Sequence, residues 1–280
     1  MSSPTDSERP RRRRWLRWTV GACLGVIIVG AAVFAYLWMH GGAHPLAPSV
    51  AVERFRQGMR AGDPSGGWGP TQGIYIYKGS GTETISVPPK SQSEGPGLPG
   101  TVIDKPGNCF EFRLDYSDVH WQNWTYCLRN RTMVTSSKAG YYLWDFVVFK
   151  VDDTSTYTCK PEAVTIPANL VVGARSPVTC TGSNDHISTA PVHMTGTSTV
   201  MATSTVQVGQ SRQLAVLIRE LVHFTGGQQG SNNADTWFSV ATGLPLRGTW
   251  STTVATPSPV GASTLHAHGD FALTSITPRR

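Results

Sequence analysis

Cys109-Phe110-Glu111-Phe112-Arg113-Leu114-Asp115-Tyr116 and His120-Trp121-Gln122-Asn123-Trp124-Thr125-Tyr126-Cys127, separated only by Ser117, Asp118 and Val119, decide the fold class of this chain. In the first stretch Phe110, Phe112, Leu114 and Tyr116 share one parity, and Glu111, Arg113 and Asp115 share the other. That alternation is the period of a strand with one buried face. A three-residue turn at Ser117–Val119 places Tyr116 against His120, Phe112 against Trp124, Phe110 against Tyr126 and Cys109 against Cys127. Aromatic cross-strand pairs contribute about 0.2–1 kcal/mol each, and the register that aligns them also aligns two cysteines. The stretch therefore predicts an antiparallel hairpin.

Working outward, further segments rich in β-branched and aromatic residues read as strands. They are Ile74 to Tyr77, Thr82 to Val87, Thr101 to Asp104, Tyr141 to Val151, Thr197 to Val208, Ala234 to Val240 and Leu265 to Thr274. Gln213 to Phe224 mixes strand alternation at Leu214, Val216 and Ile218 with a helical Arg219-Glu220-Leu221, and strand is preferred. Pro88 to Gly100 clusters Pro, Gly and Ser and reads as a surface loop. No period of about 20–50 residues repeats, which argues against a propeller or solenoid. The expected class is mainly β: a curved, half-barrel-like antiparallel sheet with two disulfides.

The N-terminal end has a different character. Trp18 to Met39 contains no charged side chain and follows Arg11, Arg12, Arg13, Arg14 and Arg17. Its reach as a helix, about 33 Å, matches a hydrocarbon core of about 30 Å. The arginine flank orients the N-terminus to the cytoplasm. The length favours a retained anchor over a cleaved signal peptide. The resulting division is a basic cytoplasmic arm at 1–17, a transmembrane helix at 18–39, a juxtamembrane helix and linker at 40–71, and an extracytoplasmic β-rich domain at 72–280. In the juxtamembrane part, Val52, Phe55 and Met59 form an apolar stripe. Gly21 and Gly25 have the spacing that lets two membrane helices approach, yet glycine is common in such helices, so self-association is not favoured. Of the net charge of +6, residues 1–39 supply +4, six arginines against Asp6 and Glu8. The basicity is a topology signal and a contact for membrane lipids, not a nucleic-acid surface.

Cys23 falls in the apolar run, leaving Cys109, Cys127, Cys159 and Cys180 outside it. Four cysteines allow three connectivities; sequential pairing, 109–127 and 159–180, closes short loops and agrees with the hairpin. Absence of C-x-x-C spacing favours a structural role over a metal or redox one. No G-x-S-x-G, phosphate-binding glycine loop, H-E-x-x-H or S-x-x-K pattern occurs, so the chain reads as non-enzymatic. His266, His268 and Asp270 would share one strand face, but without a second cluster they read as surface groups, and neither cofactor nor metal is implied. Asp152-Asp153 reads as a solvated strand end, and Asn123 and Asn130 open glycosylation sequons. Trp121, Trp124, Trp144, Trp237 and Trp250 are aromatics that could pack a core or line a groove, with Trp237 expected to face inward.

Two stretches carry a resemblance. Gly73 to Glu83 resembles the opening strand of a group of uncharacterised actinobacterial membrane-anchored proteins, and Trp237 to Arg247, ending Gly243-Leu244-Pro245-Leu246-Arg247, resembles a later feature of that group. The ectodomain is also similar, more weakly, to half-barrel lipoprotein carriers of the LolA and LppX type. That resemblance implies an apolar concavity that holds acyl chains. The leading expectation is an anchored extracytoplasmic protein that binds an apolar or envelope-derived ligand. The alternatives are an interaction scaffold for cell-wall or division machinery, and an envelope hydrolase whose site is assembled from scattered residues.

Overall fold

The structure, a computed structural model, describes residues 26–36, 43–58, 68–146, 148–257 and 261–280. Helix α1 covers residues 26–36 and α2 covers Pro48–Gly58. The strands are β1 (Gly73–Ser86), β2 (Pro89–Glu94), β3 (Gly97–Lys105), β4 (Cys109–Asp115), β5 (His120–Arg129), β6 (Thr132–Asp145) and β7 (Lys150–Ile166). They continue as β8 (Arg175–Asn184), β9 (Val192–Val208), β10 (Ser211–Gly226), β11 (Gln229–Ser239), β12 (Pro245–Thr256) and β13 (Ser263–Leu273).

Each strand from β3 to β13 pairs antiparallel with the next, and β13 returns to pair with β1 from Tyr77↔Leu273 to Ile85↔Leu265. This corrects the half-barrel expectation: twelve strands close into a barrel, and β2 pairs with β1 alone, along Gly81–Ser86 of the edge that β3 occupies at Gly73–Lys78. Closure removes the free edges that a half-barrel would leave for other chains to pair with. The seam needs small residues. A Cβ at Gly79 would lie 2.1 Å from the Asp270 carbonyl oxygen.

The hairpin has the register read from its alternation, with Cys109↔Cys127, Phe110↔Tyr126 and Phe112↔Trp124 opposed. Tyr116 stacks on His120 at 4.6 Å between ring centroids. Both disulfides, Cys109–Cys127 and Cys159–Cys180, join directly opposed residues of neighbouring strands. Gln213 to Phe224 lies within β10. Two other expectations change. Pro88 to Gly100 is not a loop but holds β2 and the start of β3. Tyr141 to Val151 is not one strand, because β6 ends at Asp145 and β7 begins at Lys150.

Inward residues form two packed regions. One gathers Tyr75, Tyr77, Phe110, Tyr126, Phe238 and Leu246, and Trp68 packs on Phe110 at 5.7 Å. Gly243, with φ +72°, makes the β11–β12 turn; a Cβ there would meet Trp68 at 2.9 Å and Met133 at 2.7 Å. The Tyr77 hydroxyl donates to Pro245 O at 2.7 Å. Gly243-Leu244-Pro245-Leu246 thus serves the floor of the barrel. The second region surrounds the Cys159–Cys180 bridge with Tyr157, Val178, Met194 and Phe224. Outside, Leu46, Ala51 and Phe55 of the α2 segment pack on Ile74, with Val52, Ile76 and Ile103 beside them. Met59, the last residue of the expected stripe, is outside the described residues.

Outward positions on β8, β9 and β12 are largely exposed hydroxyls: Thr179, Thr181, Thr195, Thr197, Thr249, Ser251 and Thr253. Apolar-in and polar-out is the reverse of a lipid-facing barrel wall. The expected membrane span, 18–39, is described only at 26–36, where Val26, Ile27, Ile28 and Val29 are exposed. Among the described residues no helix is long and apolar enough to cross a membrane. The basic arm at 1–17, Gly21, Cys23 and Gly25 lie outside the described residues.

Candidate functional site

Side chains fill or nearly fill an eight-stranded barrel, whereas twelve strands enclose a wider lumen. Here that lumen contains a cavity of about 520 Å³, within the range of sites for small organic ligands. It extends from the aromatics Phe112 and Phe238 toward the end of the barrel framed by Val87, Phe146, Ile187 and Pro257. Alternation along the strands explains the lining. On β11, Asn232, Ala234, Thr236 and Phe238 face the lumen, so Trp237 has the opposite parity.

Of the five tryptophans singled out in the sequence as core or groove candidates, Trp124, Trp144 and Trp250 line the cavity. Trp237 does not face inward as expected: it lies on the outer face, 5.2 Å from the Arg247 guanidinium. Trp121 also sits outside, stacked on Tyr141 at 5.9 Å and covered by Arg113 at 4.3 Å. Two charged groups cross the lumen. The Lys138 ammonium, from β6, pairs with the Glu220 carboxylate, from β10, and both side chains are largely buried. Buried ion pairs are retained at a desolvation cost. With Gln122, Asp153, Gln228 and Asn232, it gives a largely aromatic chamber polar contacts.

Beside the cavity, on the inner face of the barrel, lies a second feature. Glu83 of β1, Glu94 of β2 and His120 of β5 are all buried, with His120 and Glu83 fully so. His120 Nδ1 lies 2.7 Å from Glu83 Oε1 and also contacts Glu94 Oε1. Gln92 Nε2 donates to Glu83 Oε2 at 2.7 Å. The imidazole is sandwiched between Tyr116 and Tyr142, at 4.6 and 4.1 Å, with the Trp250 ring edge-on at 6.2 Å. Tyr116, Tyr142 and Trp250 present their other surfaces to the cavity. The cluster therefore braces the wall of the chamber.

Burial alone would lower the His120 pKa, but the facing carboxylates of Glu83 and Glu94 reverse this and push it up to about 9. Burial pushes Glu94 up to about 7, against the pull of His120 and with the repulsion of Glu83. Burial would also raise Glu83, but the charge and hydrogen bonds of its neighbours bring it below its ordinary value. Glu83, Glu94 and His120 each present a ligand atom within 4.8 Å of the others, a constellation able to hold a metal ion. Glu94 Oε2, Gln92 Oε1 and His120 Nε2 are buried without a hydrogen-bond partner.

Sequence reasoning missed this cluster for a physical reason. The buried face of β2 is Lys90, Gln92 and Glu94, alternating with Pro89, Ser91 and Ser93. The period of a strand is there, but the inward residues are the polar ones. His120 was paired with Tyr116 as an aromatic contact only. His266, His268 and Asp270 lie exposed on the outer face of β13, where His266 Nδ1 is 3.2 Å from Thr253 Oγ1 and Asp270 accepts from Ser80 at 2.8 Å. Asp153 is not solvated: it is buried and accepts from the backbone N–H of His186 and Ile187 and from the Asn184 amide. Of the sequon residues, Asn123 sits within β5 and Asn130 in the β5–β6 turn with φ 51°. No protein-family model, no curated protein and no solved structure matches this chain.

Proposed function

We propose that this chain is a non-enzymatic carrier, anchored through its N-terminal segment with the barrel outside the cytoplasm, that encloses an apolar ligand in its lumen. One observation carries the reading: a cavity of about 520 Å³ inside a closed barrel, walled by Trp124, Trp144, Trp250 and phenylalanines. Apolar surface removed from water there contributes about 25 cal/mol per Å². Enclosure matters because association entropy and ordering must first be offset. The Lys138–Glu220 pair supplies one polar contact, which favours an amphiphile with a small polar group over a pure hydrocarbon. The two disulfides agree with an oxidising compartment.

The test uses the fluorescent probe N-phenyl-1-naphthylamine and native mass spectrometry of protein purified from its own envelope. Expected are saturable probe binding and a co-purified apolar molecule. Ala234 faces the lumen, so Ala234→Trp should fill the space, keep the fold and abolish both signals. A folded wild type that binds neither probe nor native ligand overturns the carrier and favours an interaction scaffold.

A further inference from the structure

We propose that Glu83, Glu94 and His120 form a binding site for one divalent first-row transition-metal ion, with Zn²⁺ as the probe. The inference concerns the wall of the barrel and does not depend on what the lumen holds. Three separate segments, β1, β2 and the start of β5, deliver one nitrogen and two carboxylates to a common point, with ligand atoms within 4.8 Å of one another. An imidazole with carboxylate oxygens is a donor set that suits zinc and its neighbours rather than calcium or magnesium, which take oxygen alone.

Charge supports the same reading. Burying uncompensated charge is expensive, so without metal the two carboxylates hold a proton on the His120 imidazole between them; a divalent ion would replace that proton and leave the imidazole neutral and free to ligate. The nearby cations are committed elsewhere. Lys90 directs its ammonium to the Asp145 carbonyl oxygen, and Arg113 is paired with Asp115. A divalent ion would balance the two carboxylates once the imidazole proton has left. Glu94 Oε2 is buried with no hydrogen-bond partner, although its side chain is only 2 % exposed. The imidazole plane is held by Tyr116 and Tyr142 on its two faces, so the nitrogen is already oriented. Topology provides access: β2 is strand-paired along one edge only, to β1, and can part from the wall without breaking the β1–β13 and β1–β3 pairings. Bound metal would tie β2 and the turn before His120 into the wall, in the gap that β4 leaves by ending at Asp115.

The experiment takes tag-free, chelator-treated full-length protein and measures Zn²⁺ binding by calorimetry, with metal content read by mass spectrometry after dialysis. One ion per chain is expected. Glu94→Gln should weaken binding at least tenfold, while the double variant His266→Ala/His268→Ala, on the outer face, should bind as the wild type does. Should Glu94→Gln fail to fold, hydrogen exchange on the wild type decides: Zn²⁺ should slow the amides of residues 90–94 and 116–120 selectively. No binding tighter than about 100 μM by the folded chain overturns the site. So does equal affinity in a folded Glu94→Gln variant, or protection confined to β13.

Discussion

His120 shows how much a single side chain can be asked to do in a β-barrel wall. It has no exposed surface, two carboxylates at one nitrogen and an aromatic ring on each face. In chelator-treated protein this arrangement makes stability depend on pH, and the sign can be worked out. Glu94 titrates at about 7 in the folded chain against an ordinary 4.5. Its contribution is therefore complete below 4.5 and is lost as the pH rises through 7. His120 titrates at about 9 against an ordinary 6.5, so its contribution is complete below 6.5 and is lost as the pH rises through 9. Both run in the same direction. Glu83, lowered, acts only below its ordinary value, where its contribution is lost on acidification. Urea midpoints of the wild type, relative to a Glu83→Gln/Glu94→Gln/His120→Phe variant, should fall steadily from about pH 5 to about pH 9. A relative stability that climbs over that range would contradict the placement of these groups.

At the scale of elements, legibility follows from which face of a strand carries the apolar residues. The β4–β5 hairpin could be read to the residue because Phe110, Phe112, Tyr126 and Trp124 alternate with polar neighbours and the cysteines fall in the same register. β2 could not, since its inward residues are Lys90, Gln92 and Glu94, and their partners Glu83 and His120 lie in other segments. Trp237 was misplaced for a related reason. An aromatic residue signals burial, yet Trp237 finds its cover on the outer face under Arg247. The disulfides were legible in pairing but not in placement. Cys159–Cys180 lies among inward side chains, whereas Cys109 has the parity opposite to inward Phe110. Cys159 and Cys180 are 21 residues apart, so in the chain-entropy account removing their bridge costs about 3 kcal/mol. A Cys159→Ala/Cys180→Ala protein should show that loss in urea unfolding while Cys109–Cys127 stays intact. A loss well under about 1 kcal/mol would mean that strain or residual structure outweighs the entropy term.

For the whole molecule, the decisive contact is the one that local sequence patterns reveal least. β1 and β13 are each recognisable as strands, but their pairing joins residues nearly the full domain apart, such as Ser80 with Asp270. Periodicity along either strand is the same whether the sheet stays open or closes. What distinguishes closure is the space at the seam. Gly79 has none to spare, for a Cβ there would sit 2.1 Å from the backbone oxygen of Asp270 and 2.9 Å from Leu98 Cδ1. A backbone carbonyl committed to a ladder cannot rotate away as a side-chain tip can, so the strands themselves must separate. Gly97, on neighbouring β3, provides a matched control because a Cβ there meets nothing within 4 Å. Gly79→Ala should therefore destabilise the protein by about 3 kcal/mol, at the upper end of ordinary single substitutions, while Gly97→Ala stays within about 0.5 kcal/mol. Hydrogen exchange should show the loss first in β1 and β13, and probe retention by the lumen should fall with it, since a parted seam admits water to the chamber. Equal stability of the two variants, with β13 amides still protected, would show that the β1–β13 seam is not what holds the barrel shut.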